Sequence, residues 1–195
     1  AERAIAACRS HGVVLALNFQ LRQFEDVRWL REAIAGGAIG EVEQIRIAFE
    51  VGHHPLARWR TDANLAGQGA LFNLGVHAFD MLRYVTGDEV ATIEAVSRLD
   101  PDCGLDVATI AVGRLTGGAL AVVSCDQYLH HPLHETVIHG SRGRITGRDV
   151  GRLGWRGASA ITLVGADGSV TEQRFDTSEG AEMRVIQDFG EAVRL

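Results

Sequence analysis

Closely spaced glycine turns divide the second half of the chain into short segments of strand length. Three of these turns are Thr116-Gly117-Gly118, Gly140-Ser-Arg-Gly143 and Gly165-Ala-Asp-Gly168. Glycine-containing loops of this length between two strand-like segments are hairpin signals. The predicted strands of this half are 91–98, 107–115, 119–128, 136–139, 144–146, 161–164 and 170–175. Sequential hairpins of this kind predict an open, mostly antiparallel or mixed β-sheet.

Two helices are predicted before and beside this sheet. Apolar residues at spacings of three and four predict an amphipathic helix over 24–35, which Gly36 and Gly37 end. The alternating segment 41–50 predicts a half-buried strand, and 53–66 a polar loop. A second helix is predicted over 69–85, stopped by Gly87. We therefore predict an α+β fold with both helices on one face of the open sheet.

The first twenty residues have a different pattern. Residues 1–10 predict a helix that ends at Gly12, and the apolar run 13–19 predicts a strand buried on both faces. A helix, a glycine and a buried strand are typical of the end of an α/β domain. Both ends of the chain lie inside helical patterns, so we expect a fragment of a longer protein.

Composition excludes several classes of function. A formal net charge of −6 argues against nucleic acid or an anionic membrane surface as the main partner, and no apolar run approaches the length of a membrane span. Cys8, Cys103 and Cys125 lack the spacing of a zinc or redox motif, which favours reduced thiols in a cytoplasmic protein. Every basic residue is Arg, so these residues supply no catalytic Lys.

The helix predicted over 69–85 carries the residues best suited to catalysis or ligand binding. Asn73, His77 and Asp80 stand at i, i+4 and i+7 and are expected to share one face. A neutral imidazole accepts a proton near neutral pH, and an Asn one turn earlier can orient a hydroxyl. Gly67 and Gly69 at the helix start permit close approach by a ligand or by another chain segment. An ordinary solvated polar stripe remains the alternative.

Histidines elsewhere in the chain are not predicted to bind a metal. His130, His131 and His134 surround Pro132, which argues against a helix that would present two of them together. The adjacent His53 and His54 would point in opposite directions on an extended chain. We interpret them as loop histidines, with contact to a substrate or a neighbouring subunit as the alternative.

Several segments in a fixed order carry a resemblance to a known family. They are Asn18-Phe-Gln-Leu-Arg22, Leu30-Arg-Glu-Ala-Ile-Ala-Gly-Gly-Ala-Ile-Gly-Glu-Val42, Trp59-Arg60, Gly67-Gln-Gly69 and Asn73-Leu-Gly-Val-His77-Ala-Phe-Asp80. Over residues 13–87 their order and spacing resemble the glucose-fructose oxidoreductase, inositol dehydrogenase and MocA (Gfo/Idh/MocA) family. The later hairpins, with His139-Gly-Ser-Arg-Gly-Arg-Ile145, fit its C-terminal sheet.

The resemblance implies a domain organisation and a cofactor. Residues 1–20 would be the tail of an N-terminal Rossmann domain. Residues 21–195 would form a dihydrodipicolinate-reductase-like C-terminal domain for substrate binding and oligomerisation. NAD or NADP would be bound mainly by the N-terminal domain. Family members commonly use a Lys from a Glu-Lys-Pro segment, which would lie upstream of residue 1.

The resemblance also assigns residues. Family members commonly place a carboxylate or Asn four residues before a catalytic His, which here gives Asn73 and His77. Asn in place of Asp leaves His77 as the proton acceptor. Trp59, Arg60 and Asp80 are predicted to bind the substrate, Asp80 as a support rather than a catalyst. Asn18 and Arg22 are predicted to bind the cofactor.

The expected function is oxidation or reduction at a secondary alcohol of a sugar, inositol or related polyol, with NAD(P) as the cofactor. The alternatives are an NAD-dependent glycoside hydrolase of the same fold and a non-catalytic oligomerisation module. The resemblance further implies a homodimer or homotetramer that forms through the open sheet. Residues 1–195 alone are expected to show no turnover.

Overall fold

One eight-stranded sheet organises the computed structural model, which describes residues 1–52, 58–152, 157–176 and 181–194. Its strands are β1 (Val42–Gly52), β2 (Val90–Leu99), β3 (Asp106–Leu115), β4 (Leu120–Leu129), β5 (His134–Gly140), β6 (Gly143–Arg148), β7 (Ala158–Val164) and β8 (Val170–Asp176). Their order across the sheet is β2-β3-β4-β1-β5-β6-β7-β8. Only the β1–β4 pair among these is parallel, so the sheet is mixed and the predicted α+β fold is confirmed.

Helical segments precede, interrupt and follow the strands. The helices are α1 (Glu2–His11), α2 (Glu25–Ala35), α3 (Ala63–Ala66), a π-helix (Leu71–Gly75), α4 (Val76–Thr86) and α5 (Ala181–Arg194), with 3₁₀ turns at Gln20–Gln23 and Arg58–Thr61. The predicted loop 53–66 thus contains a 3₁₀ turn and the single helical turn α3 in its described part. His53 and His54 lie outside the described residues.

The core lies between the helices and one face of the sheet. Val27 and Leu30 of α2 are fully buried, as the predicted helical spacing requires. On β1 the alternate residues Ile45, Ile47 and Phe49 are buried on the face that packs against α4, because side chains of a strand alternate between its two faces. The helix α2 packs against α4 in turn, so the helix bearing His77 is held between α2 and the sheet.

The opposite face of the sheet, here called the helix-free face, exposes apolar side chains near one edge. Val96 of β2 lies opposite Ile110 of β3, and their side chains are 79% and 57% exposed. Val112 and Leu120 on the same face are also exposed. These exposed apolar side chains stand among charged residues of the same face, such as Glu94 and Arg114.

The strand predicted over 13–19 is wrong. Residues 13–19 form no strand, and Val13 and Leu17 are 57% and 76% exposed. A strand buried on both faces needs neighbouring strands and covering layers, and no described strand pairs with this segment. The helix before it is confirmed as α1, whose C-cap is Gly12 with φ of 62°. None of the residues of α1 is buried in this chain.

Candidate functional site

The helix predicted over 69–85 begins at an anchor on the neighbouring strand β3. The buried carboxylate of Asp106 accepts hydrogen bonds from the backbone N–H groups of Gly69 at 2.6 Å and Leu71 at 2.7 Å. A Cβ at Gly69 would lie 1.8 Å from the carbonyl oxygen of Asp106. Gly69 is therefore required for the close approach of a chain segment, which was one of the two roles predicted for it.

The first turns of this helix are wider than predicted. Leu71–Gly75 form a π-helix, in which the N–H of Val76 donates to the carbonyl of Leu71 five residues earlier. The regular helix α4 starts only at Val76. A π-turn inside a helix changes the angular spacing of side chains and is frequent at functional sites. Asn73 on the π-helix and His77 on α4 consequently depart from the single regular stripe predicted for them.

Asn73 lines a cavity of about 230 Å³ beside this wide turn. Trp59, Arg60 and Asn73, all predicted site residues, line it together with Gln127 of β4. The Nδ2 of Asn73 donates to Oε1 of Gln127 at 3.3 Å, and Gln127 is only 4% exposed. The lining thus combines an aromatic side chain, a guanidinium and the amide residues Gln68, Asn73 and Gln127, groups that can bind a small polar ligand.

His77 is half-buried between two phenylalanines rather than among the lining residues of that cavity. Its ring stands edge-on to Phe19, with 6.3 Å between centroids, and nearly parallel to Phe49, at 6.2 Å. Its Nδ1 is buried and has no hydrogen-bond partner among the described residues. Burial lowers the pKa of His77, and the negative charge of Asp80 opposes this effect. The geometry therefore favours a neutral imidazole, the form that can accept a proton.

Asp80 and Arg22 bind each other. Nε and Nη2 of Arg22 donate to the two carboxylate oxygens of Asp80, at 2.9 and 2.6 Å. The Asp80 side chain is buried, whereas that of Arg22 is 43% exposed and lies over the rings of Phe19 and Tyr84. The hydrogen bonds to Asp80 raise the pKa of Arg22. This geometry favours the supporting role of Asp80, and its contact with substrate stays a prediction.

A second cavity, of about 560 Å³, lies on the outer side of this ion pair. Arg22, Asp80 and Arg83 line it, together with residues 15–17, Phe19, Gln23 and four residues of α5, whereas Asn18 is not among its lining residues. Asn18 is exposed. The predicted site residues thus fall into two groups: Trp59, Arg60 and Asn73 at one cavity, and Arg22 and Asp80 at the other. The ring of His77 contacts Phe19, which also lines the second cavity.

Two residues of the site were not predicted from the sequence. Gln127 contacts Asn73 across 54 positions of the chain, and Asp106 anchors the helix start across 37. Both are polar residues in strand patterns, where they look like ordinary alternating positions. Only the pairing of β3 and β4 with the rest of the sheet brings them to the helix.

The histidines near Pro132 do not form a cluster. His134 is buried, and its Nε2 donates to the carbonyl oxygen of Val150 at 3.0 Å, whereas His130 and His131 are exposed. Within the described ranges no group of three or more His, Cys, Asp or Glu side chains is arranged to hold a metal. No described helix combines the length and apolarity that crossing a membrane requires.

Comparison with known proteins agrees with the fold and with the sequence motifs. Residues 27–146, more than half of the chain, match the model of the GFO/IDH/MocA C-terminal domain. A 1,5-anhydro-D-fructose reductase from Ensifer adhaerens is 30% identical over 176 residues, which are 86% of this chain and 51% of that protein. The chain therefore spans about half the length of this curated relative.

Solved structures share the fold at lower identity. A 3-ketoreductase from Actinomadura kijaniata, in complex with NADP and TDP-benzene, superposes with a TM-score of 0.81 at 21% identity, over 98% of this chain and 58% of that one. A levoglucosan dehydrogenase in complex with NADH and levoglucosan gives a TM-score of 0.74 at 22% identity, over 93% of this chain and 57% of that one. With the family model matched over most of the sheet and both central helices, the chain belongs to the Gfo/Idh/MocA family, as a C-terminal domain.

Proposed function

We propose that this chain is the substrate-binding part of an NAD(P)-dependent oxidoreductase that acts on a secondary alcohol of a sugar, inositol or related polyol. The observation that carries the proposal is the position of Asn73, which lines the 230 Å³ cavity while His77 follows it on the same helical segment. The cavity far exceeds the roughly 30 Å³ that one water occupies. The two relatives named for anhydrofructose and levoglucosan support a carbohydrate substrate.

In the proposed mechanism His77 takes the proton of the substrate hydroxyl. The sugar ring lies in the cavity against Trp59, and Asn73, held by Gln127, orients it there. Since His77 is not among the lining residues, the reacting hydroxyl has to extend from this cavity toward the imidazole. Phe19 and Phe49 keep water from the imidazole and hold it in its neutral form. Arg60 binds a substrate oxygen. NAD(P), when bound, supplies the hydride acceptor or donor.

The outer cavity fits part of such a cofactor. Its apolar side chains, among them Leu15 and Phe19, can pack against an aromatic part of a ligand. The guanidinium groups of Arg22 and Arg83 line it too, but they are bound to the carboxylates of Asp80 and Glu89. We propose that Asn18 and Arg22 hold the cofactor on this side. Residues 1–20, with their exposed apolar side chains, would belong to the preceding Rossmann domain that binds most of it.

Substitution of His77 tests the proposed function. In the full-length enzyme His77→Gln is expected to lower turnover on a polyol substrate by about 10²–10⁴-fold, because it removes the proton acceptor. The matched control is His11→Gln at the exposed end of α1, which should retain turnover. Reduction of NAD(P) at 340 nm is the measurement.

Two outcomes would contradict the proposal. Full turnover in His77→Gln would exclude His77 as the proton acceptor. Release of free sugar with no net change in NADH would indicate the glycoside hydrolase instead.

We also propose that the helix-free face pairs with a second copy of this chain in a homodimer or homotetramer. The exposed apolar side chains of Val96, Ile110 and Val112 support this, because a second copy would remove them from water.

A further inference from the structure

We propose that Arg22 and Asp80 form a positioning ion pair that keeps the imidazole of His77 neutral and in place. Arg22 then acts on proton transfer through Asp80 rather than by contact with the reacting atoms. This inference deepens the role proposed for His77 and rests on it.

The geometry of the ion pair carries the inference. Both carboxylate oxygens of Asp80 accept N–H groups of one guanidinium, at 2.9 and 2.6 Å. Asp80 is only 3% exposed, so while the pair is formed the carboxylate depends on Arg22 rather than on water for its partners. A bidentate guanidinium–carboxylate pair fixes the carboxylate in orientation as well as in charge.

Asp80 stands three residues after His77 on α4, a spacing at which helical side chains are neighbours. Its negative charge acts to raise the pKa of His77. The guanidinium of Arg22 offsets the negative charge of the Asp80 carboxylate. Burial then determines the protonation state of the His77 imidazole. Without Arg22, a buried and unpaired carboxylate would face the imidazole and favour its protonated form, which cannot accept a proton.

Among the described residues, including those of α2 and β4 that pack against α4, Asp80 is the charge that shifts the pKa of His77. The helix α4 also carries the charged residue Arg83, which donates hydrogen bonds to both carboxylate oxygens of Glu89. The 3₁₀ turn Gln20–Gln23 presents Arg22, and β1 presents the uncharged ring of Phe49. Behind that ring, β5 presents His134, whose pKa burial lowers to about 4. The π-helix presents the neutral amide of Asn73.

A titration of His77 tests the inference without any turnover. The chain is made as wild type, Arg22→Gln, Asp80→Asn and the double variant, and the pKa of His77 is followed by NMR of its ring C–H signals, assigned by their loss in His77→Gln. Arg22→Gln should raise the pKa of His77 because it exposes the ring to an unpaired carboxylate. Asp80→Asn should lower it, since it removes the carboxylate and leaves the cation. The double variant should lie between the two.

Shifts of the same sign in both single variants, or no shift in either, would overturn the inference. If Arg22→Gln does not fold, Asp80→Asn and Arg22→Lys keep the test intact. Arg22→Lys retains the positive charge, so the pKa of His77 in this variant should stay closer to the wild-type value than the pKa in Asp80→Asn does. A purely structural pair would change stability in these variants but would not move the titration in opposite directions.

The full-length enzyme separates this inference from the proposed function. In the Arg22→Gln enzyme, the acidic limb of the pH–rate profile for alcohol oxidation should move to higher pH. This move should match the shift in the pKa of His77 measured by NMR. Opposite NMR shifts combined with full turnover in His77→Gln would leave the ion pair established and would refute the catalytic role of His77.

Discussion

At the scale of single residues, two histidines contact the same phenylalanine and differ in their hydrogen bonding. The ring of Phe49 lies 6.2 Å from His77 and 4.4 Å from His134. His134 donates Nε2–H to Val150 and is 4% exposed, which indicates a structural role. His77 is half-buried and makes no hydrogen bond with the described residues through its buried Nδ1. His134 is thus fixed by a hydrogen bond, whereas the Nδ1 of His77 is not, which agrees with the role proposed for His77.

The buried His134 predicts how stability depends on pH. Burial lowers its pKa to about 4, below the ordinary value of 6.5, because the charged form of the ring loses its hydration in the core. Between these two values the unfolded chain binds more protons than the folded one, so the free energy of unfolding should fall as the pH falls, by about 3 kcal/mol in total.

His134→Gln tests this dependence because its side-chain amide can still donate to Val150 but does not titrate. Urea unfolding at several pH values from 7 to 4 should show a weaker acid destabilisation in the variant than in the wild type. Equal pH slopes in both proteins would show that His134 is not the group responsible.

At the scale of elements, the start of the functional helix depends on backbone contact with β3. Gly69 lies against the backbone of Asp106, and the Asp106 carboxylate accepts the N–H groups of Gly69 and Leu71. This anchor replaces an N-terminal cap from the helix's own sequence. It also explains why a wide π-turn, rather than a frayed end, precedes His77.

A pair of glycine substitutions tests the anchor. Gly69→Ala is expected to destabilise the protein by about 3 kcal/mol, because its Cβ would overlap the Asp106 carbonyl oxygen and force the helix away from β3. Gly190→Ala in α5 is the matched control. No atom lies within 4 Å of the Cβ that it adds, and Ala is the better helix former, so it should stabilise by about 0.5–1 kcal/mol. Thermal unfolding followed by circular dichroism measures both, and equal effects would contradict the anchor.

At the scale of the whole molecule, the two faces of the sheet differ in what covers them. One face is buried under α2 and α4, whereas the helix-free face shows Val96, Ile110 and Val112 to solvent. The chain also exposes apolar side chains over 13–17, and no described strand pairs with this segment. Both surfaces are compatible with the second copy and the preceding Rossmann domain proposed above.

Two substitutions on β2 test the assembly. Val96→Glu places a charge on the helix-free face and should shift the protein from oligomer to monomer in light scattering. Ile93→Glu places the same charge on the other face of the same strand, where Ile93 is 49% exposed, and should leave the oligomer intact. A wild-type monomer, or equal dissociation by both variants, would refute pairing through this face.

Much of this arrangement follows from the sequence because it depends on local pattern. The spacing of Val27, Leu30 and Ile34 was sufficient to predict α2. The glycine turns were sufficient to predict the strands β3 to β8. The same reasoning failed at residues 13–19, since an apolar run predicts burial but not the neighbours that a strand needs. A regular helix was predicted over 69–85. The π-turn within it was not predicted, because it depends on contacts with β3.

The candidate site divides in the same way. The sequence alone determined that His77, Asn73 and Asp80 share one helical segment, because residues close in the chain are close on a helix. Only the tertiary structure decided that Gln127 holds Asn73, that Asp106 anchors Gly69 and that Arg22 binds Asp80 across 58 positions. Such pairs are set by the order of strands and the packing of α4 on the sheet, and no local pattern records which distant polar groups will meet.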